Sequence, residues 1–166
     1  MGLKRTGLML AAVLALGACQ NGGIFGGAGN GPDQAPGNGS IQESSLAFFS
    51  NTIGDTVLFA VNQDTLSPEA KAVLDAQVAW LNQYPDHTII IEGHADEQGT
   101  REYNLSLGAR RAAAVQNYMI AAGLLPSRLS IISYGKERPL EICSTEVCWS
   151  KNRRAVTVVA GGMGNV

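Results

Sequence analysis

Arg111 lies four residues after Leu107 and four before Val115, so on a helix these three side chains share one flank. That flank is otherwise apolar, and a guanidinium placed on it must reach acceptors or stay wet, because an unpaired buried charge costs several kcal/mol. Any fold adopted by this chain has to bring acceptors to Arg111, and an anionic partner is implied. Asp96 stands just past the apolar run Thr88-Ile89-Ile90-Ile91. Residues that bind ligands in α/β folds collect beyond the carboxyl ends of strands, and Asp96 occupies such a position.

The flanking elements follow from spacing. Asp55 to Phe59 reads as a short strand and Asn62-Gln63-Asp64 as a turn. Ser67 suits a helix N-cap, Pro68 the first helical position, and Glu69 complements the positive end of the helix. Ala70, Leu74, Val78 and Leu81 then form one apolar face, which Tyr84-Pro85 ends. Thr88 to Glu92 is nearly continuous in apolar residues, as in a strand covered on most of its surface. A second helix is predicted from Glu102 or Asn104 to Ala122, closed by Gly123 with Pro126 beyond. Gly108 inside it costs about 1 kcal/mol against alanine, which fits either a close approach of backbone or ligand, or tolerated slack. Leu129 to Tyr134 and Ala155 to Ala160 supply two more strands, separated by a loop with a short helical turn around the cysteines. The order β-α-β-α-β-β predicts an α/β chain of the two-layer α+β kind, with both helices on one face of a small mixed sheet.

The start of the chain is of a different kind. Lys4 and Arg5 precede the apolar run Leu8 to Leu16, which is far shorter than the ~20 residues of a membrane span and reads as a secretory signal. Leu16-Gly17-Ala18-Cys19 resembles a bacterial lipobox, which makes residues 1–18 a lipoprotein signal peptide and Cys19 the lipidated anchor. Gln20 after the cysteine favours the outer membrane by the same likeness. Residues 19–42 are a glycine-rich tether with no apolar periodicity, of root-mean-square reach about 25 Å. Residues 43–166 are expected to form a single domain, long enough to bury a core unaided.

Charge and cysteines narrow the function classes. The whole chain carries 12 basic and 14 acidic residues, and loss of Lys4 and Arg5 with the signal leaves a net charge of −4. No concentrated basic face is present, which argues against nucleic acid as a partner. Cys143 and Cys148 remain beside Cys19, and an oxidising compartment permits them to pair, free thiols being the alternative. With only His87 and His94 in the chain, the spacing of a structural zinc motif is missing, and neither a metal nor a cofactor is expected. Glu92 and Asp96 nominally offer the two carboxyl groups of a glycosidase. Yet no nucleophile elbow, catalytic-cysteine setting or HExxH zinc motif accompanies them, and the chain is not expected to be an enzyme.

Gly93-His94-Ala95-Asp96, then Asn104, Leu107, Arg111, Ala112 and Val115, then Ser133-Tyr134-Gly135 and Asn152-Arg153-Arg154, together resemble the recurring motifs of the OmpA C-terminal family over roughly Asp55 to Val159. Within it the fuller likeness is to the lipid-anchored members, through GHADEQGTREYNLSLGARRAAAV and SYGKERP. The resemblance implies noncovalent binding of peptidoglycan through the diaminopimelate residue of its stem peptide. Asp96 and Arg111 match the two charged ligand residues, Leu107 and Phe59 the apolar walls, and the loop from Ala95 to Gly99 a source of amide donors. His94 is expected to orient that loop by hydrogen bonds, Asn104 to fix the helix start, and Asn152, Arg153 and Arg154 to tie the last strand to the rim. One departure stands out: the family often has an aspartate after the first-strand phenylalanine, and Ala60 follows Phe59 here, leaving Asn62 or Asp64 as substitutes. The likeness further implies TolB as a protein partner within the Tol envelope system, and a role in envelope integrity and cell division. A generic OmpA-like lipoprotein acting mainly as a protein-interaction module is the alternative.

Overall fold

The Ser67 side chain accepts a hydrogen bond from the Ala70 N–H, and with Pro68 behind it opens the first long helix where the sequence places it. In the computed structural model, residues 42–161 are described; the signal segment, Cys19 and nearly all of the tether lie outside them. In chain order the elements are α1 (Leu46–Phe48), a π-helical turn (Phe49–Gly54), β1 (Thr56–Leu58), α2 (Pro68–Gln83), β2 (Thr88–His94), α3 (Arg101–Ala121), a 3₁₀ turn (Pro126–Arg128), β3 (Leu129–Gly135), α4 (Glu146–Asn152) and β4 (Arg154–Ala160). The sheet order is β1-β4-β2-β3, with β2 and β3 parallel and β4 antiparallel to both β1 and β2. This is the mixed α/β architecture anticipated from the apolar spacing, with α1 and the π-helical turn added before the first strand.

Ile89 and Ile91 of β2, Val57 of β1 and Ala155 of β4 meet Leu74, Val78 and Leu81 of α2 and Ala112, Val115 and Met119 of α3 in one core. Each fully buried Leu or Ile there contributes on the order of 1.5–3 kcal/mol by leaving water. Gln77, the polar member of this layer, is satisfied on both sides: its amide donates to the Gly54 carbonyl at 2.7 Å and its oxygen accepts from Thr157 Oγ1 at 2.8 Å. Gly108 is explained by close approach and not by slack. A Cβ there would collide with Ser133 Oγ and stand 2.8 Å from the Gly93 carbonyl oxygen, and a Cβ on Gly93 would run into the Gly108 backbone. These two glycines let α3 rest directly on β2, which sets the height of Arg111 above the end of the strand. Among the described residues no helix is long and apolar enough to cross a membrane.

Candidate functional site

β2 ends at His94, and the chain leaves the sheet through Ala95 and Asp96 before Thr100 caps α3 by accepting from the Tyr103 N–H at 3.2 Å. Over this corner lies a cavity of about 220 Å³ lined by residues that include Asn62, Asp96, Gly99, Tyr103, Asn104 and Leu107. Asn62 has a left-handed backbone, φ 58°, and its Oδ1 accepts from the Tyr103 hydroxyl at 2.9 Å, which holds the β1–α2 loop against the start of α3. Of the two substitutes considered for the missing aspartate, Asn62 lines the cavity, whereas Asp64 is drawn 2.9 Å from Arg110 Nε on the surface.

Arg111 is fully buried. Its Nε donates to the Gln63 carbonyl at 2.8 Å, Nη1 to the His94 carbonyl at 2.7 Å and Nη2 to the Ala60 carbonyl at 3.2 Å. The acceptors demanded by the sequence are thus main-chain oxygens, supplied by the β1–α2 loop and by the end of β2. Phe59 stacks against the guanidinium, 5.2 Å from ring centroid to Cζ, and so supports Arg111 without lining the cavity. Among the described residues no carboxylate lies within 4 Å of this cation. Burial lowers its pKa to about 10, opposed by attraction to Asp96 and reinforced by repulsion from Arg153, so the group stays charged at neutral pH.

The Asp96 carboxylate is shared differently. Its Oδ1 accepts from the Gln98 N–H at 3.1 Å, an Asx turn that shapes the loop, and its Oδ2 pairs with Arg153 Nη1 at 3.2 Å. Arg153 is itself buried, donates through Nε to the Phe59 carbonyl at 3.2 Å, and pairs with Glu146 through both Nη atoms. The Glu146 pairing raises the pKa of Arg153, and the same hydrogen bond lowers that of Glu146. Sequence reasoning placed Arg153 at the rim but did not find Glu146 or Tyr103. Glu146 sits one helical turn before Ser150, with no apolar neighbour pattern to single it out, and Tyr103 reads as an ordinary first-turn residue.

The remaining residues fall out as follows. The Ala95 N–H is spent on the Gly135 carbonyl at 2.8 Å and is no free donor to a ligand, whereas Gly99 lines the cavity with φ 94°. His94 acts through its carbonyl, not its ring: the imidazole is buried on the other face of the sheet, 5.5 Å from the Tyr134 ring and 3.6 Å from a Glu92 oxygen. Burial, with Arg154 and Arg138 adding to it, lowers its pKa to about 4 against a backbone contact at Arg138 that favours the proton. The loop is instead held by Asn104, whose Nδ2 donates to the Gln98 carbonyl at 2.8 Å, and by Lys136, whose Nζ reaches the Glu97 and Gly99 carbonyls. The Asn104 Oδ1 is buried without a hydrogen-bond partner on a residue that lines the cavity, an acceptor that sequence pattern assigned to the helix start. Asn152 binds the Leu140 and Glu141 backbone and so pins the loop before α4. Cys143 and Cys148 are joined as a disulfide, Cα atoms 5.7 Å apart, bracketing Glu146. Glu92 does not line the cavity.

Known proteins share this chain's sequence pattern and fold. The OmpA family pattern matches residues 58–153. A peptidoglycan-associated lipoprotein of Mesorhizobium japonicum is 49% identical over 125 residues, covering 75% of this chain and 74% of the relative. One from Pseudomonas aeruginosa is 40% identical over 141 residues, covering 84% and 80%. The crystal structure of the peptidoglycan-associated lipoprotein from Burkholderia pseudomallei matches with a TM-score of 0.64 at 33% identity, over 67% of this chain and 96% of that one. The C-terminal domain of Helicobacter pylori MotB shares the fold, with a TM-score of 0.61 at 22% identity over 66% of this chain and 86% of that one. By its motifs, its fold and these relatives, the chain belongs to the OmpA family, among the peptidoglycan-associated lipoproteins.

Proposed function

We propose that the folded unit binds peptidoglycan noncovalently at the cavity beside Asp96, through the free amine and carboxylate of the diaminopimelate side chain, and performs no chemistry on it. The observation that carries this reading is a buried, permanently charged Arg111 whose three partners are all uncharged carbonyls, placed near a carboxylate that borders an open cavity. A zwitterionic group set there answers both charges: its ammonium faces Asp96 and the idle Asn104 Oδ1, and its carboxylate neutralises the guanidinium field. Leu107 gives the apolar wall. With Cys19 lipidated in the outer membrane and the domain facing the periplasm, the tether from residue 19 to 42 links membrane to wall. The relatives' name supports this envelope role. TolB as partner, membership of the Tol-Pal system and a part in cell division belong to the same proposal.

A second reading draws on the full burial of Arg111: the residue is a structural staple for three carbonyls, and wall attachment lies elsewhere. Sedimentation with purified sacculi separates the two. Under the proposed function, Arg111→Ala and Asp96→Ala each lower retention, and the double variant loses less than the sum of the singles because both act on one ligand. Wild-type retention by Asp96→Ala, with circular dichroism unchanged, would establish the staple instead. A clearing band in peptidoglycan zymography would show a hydrolase.

A further inference from the structure

We propose that Glu146 is a positioning residue for this site: by engaging both Nη atoms of Arg153, it keeps Asp96 available to a ligand ammonium and so sets selectivity for the amine. The inference rests on the binding reading above and names the residue that tunes its cationic end.

Both Asp96 oxygens are already occupied, one by a backbone N–H and the other by Arg153 Nη1 at 3.2 Å. A carboxylate neutralised by a buried arginine offers little to a second cation. Arg153, however, is shared: its Nη1 also reaches Glu146 Oε2 at 3.3 Å, and its Nη2 pairs with Glu146 Oε1. A fork-to-fork pair of this kind is the stronger of the two attachments. Around the corner of the sheet, Arg111 and Arg153 are then balanced by Asp96 and Glu146, and the cluster is neutral before any ligand arrives. Without Glu146 it carries one surplus positive charge, in a place where the Arg153 guanidinium is almost wholly excluded from water and screening is weak. Asp96 would be absorbed by Arg153, and a positive cluster would repel an ammonium while still accepting a carboxylate.

The fold also holds Glu146 where this sharing requires it. It occupies the first turn of α4, between the two bonded cysteines, and the Arg153 N–H closes the same helix onto the Trp149 carbonyl at 3.0 Å. Trp149 in turn donates from Nε1 to Glu97 Oε1 at 3.1 Å, which ties α4 to the binding loop. The Glu146 side chain is largely solvent-exposed, so removing its charge leaves the core untouched.

Calorimetric titration of the full lipidated chain in detergent micelles tests this, with two probes: a diaminopimelate-containing muropeptide, and the same muropeptide acetylated on the side-chain amine. The wild type should prefer the free amine. Glu146→Gln should lose about fivefold in affinity for the free-amine probe and nothing for the acetylated one, and Glu146→Asp, which keeps the charge, should retain most of the preference. Equal loss on both probes would make Glu146 a scaffold residue, and no loss on either would make it irrelevant; each overturns the proposal while leaving the wall-binding reading intact. A wild type indifferent to acetylation overturns both.

Discussion

Arg111 and Arg128 solve the same local problem at opposite ends of β2 with different consequences. Each donates to three main-chain carbonyls: Arg111 to those of Ala60, Gln63 and His94, Arg128 to those of Leu81, Tyr84 and His87. Arg128 serves the frayed carboxyl end of α2 and the turn into the strand, where carbonyls have no helical partner and a cation suits the helix dipole. It stays half-exposed, so its charge is met by water. Around it Trp80 stacks with His87 and packs on Phe49 and Tyr84. Arg111 makes the same bonds with no exposure at all, within the field of Asp96, and does not itself line the cavity that Asp96 borders. Carbonyl stapling is common to both; only the buried copy has its charge met by other protein groups in place of water, Asp96 foremost, and under the proposed function that difference separates a binding end from a structural one.

The largest test of the contrast exchanges the two arginines for alanine. Arg111→Ala should cost on the order of 2–5 kcal/mol in sacculus binding, because the rest of a site built for two charge pairs is left mismatched. It should also cost on the order of 2–3 kcal/mol in urea unfolding, from three orphaned carbonyls. Undiminished retention on sacculi by a folded Arg111→Ala protein would erase the functional distinction between the two ends.

Acid should tell the ends apart next. His94 is buried among Tyr134, Glu92, Arg138 and Arg154, with its pKa lowered to about 4. Between that value and the 6.5 of an unfolded histidine, the unfolded chain binds more protons than the native one, so stability rises with pH across the window. The contribution is complete above about pH 6.5 and is lost as pH falls toward 4. It amounts to on the order of 3 kcal/mol. Urea melts from pH 4 to 7 should show the slope, and His94→Gln should flatten it. Hydrogen exchange should quicken at the His94 end of β2 before the His87 end; the reverse order would assign acid lability to the aromatic end.

How much of this was legible in the sequence follows from what each residue depends on. The α2 start, the β2 run and the α3 stop were readable because Ser67-Pro68, four consecutive β-formers and Gly123 act locally. Arg111 was conspicuous as a charge on an apolar flank, and Asp96 as a polar residue at a strand end. Their partners were not readable. That Arg111 would be met by carbonyls from the β1–α2 loop, and Asp96 by Arg153 some 57 residues away, depends on the antiparallel insertion of β4 between β1 and β2. Motif pattern gave His94 hydrogen bonds to the binding loop, whereas the bond it makes at the site is from its carbonyl to Arg111. The π-helical turn at Phe49–Gly54 was missed because what anchors it, Phe49 on Trp80 and the Gly54 carbonyl on Gln77, is tertiary contact.

Reduction of the Cys143–Cys148 disulfide acts on the binding end alone. A loop this short removes little unfolded-state entropy when closed, so the loss in stability should be no more than about 2 kcal/mol. Because the bond brackets Glu146, Cys143→Ser with Cys148→Ser should also weaken sacculus binding severalfold. Free-thiol titration of the native protein giving two reactive groups would remove the bond from the comparison.

Arg128→Ala is expected to have the smallest effect and to define the baseline. Two of its three carbonyl partners belong to the half-buried Tyr84 and His87, where water replaces a lost donor, and only that of the buried Leu81 is left wanting, so the cost should be about 1 kcal/mol in unfolding free energy and invisible in sacculus binding. Arg128→Lys should recover only part of that, since one ammonium does not span Leu81, Tyr84 and His87 as the forked guanidinium does. If Arg128→Ala lowered wall binding while the fold persisted, coupling would run the length of β2, and the two ends would have to be treated as one site.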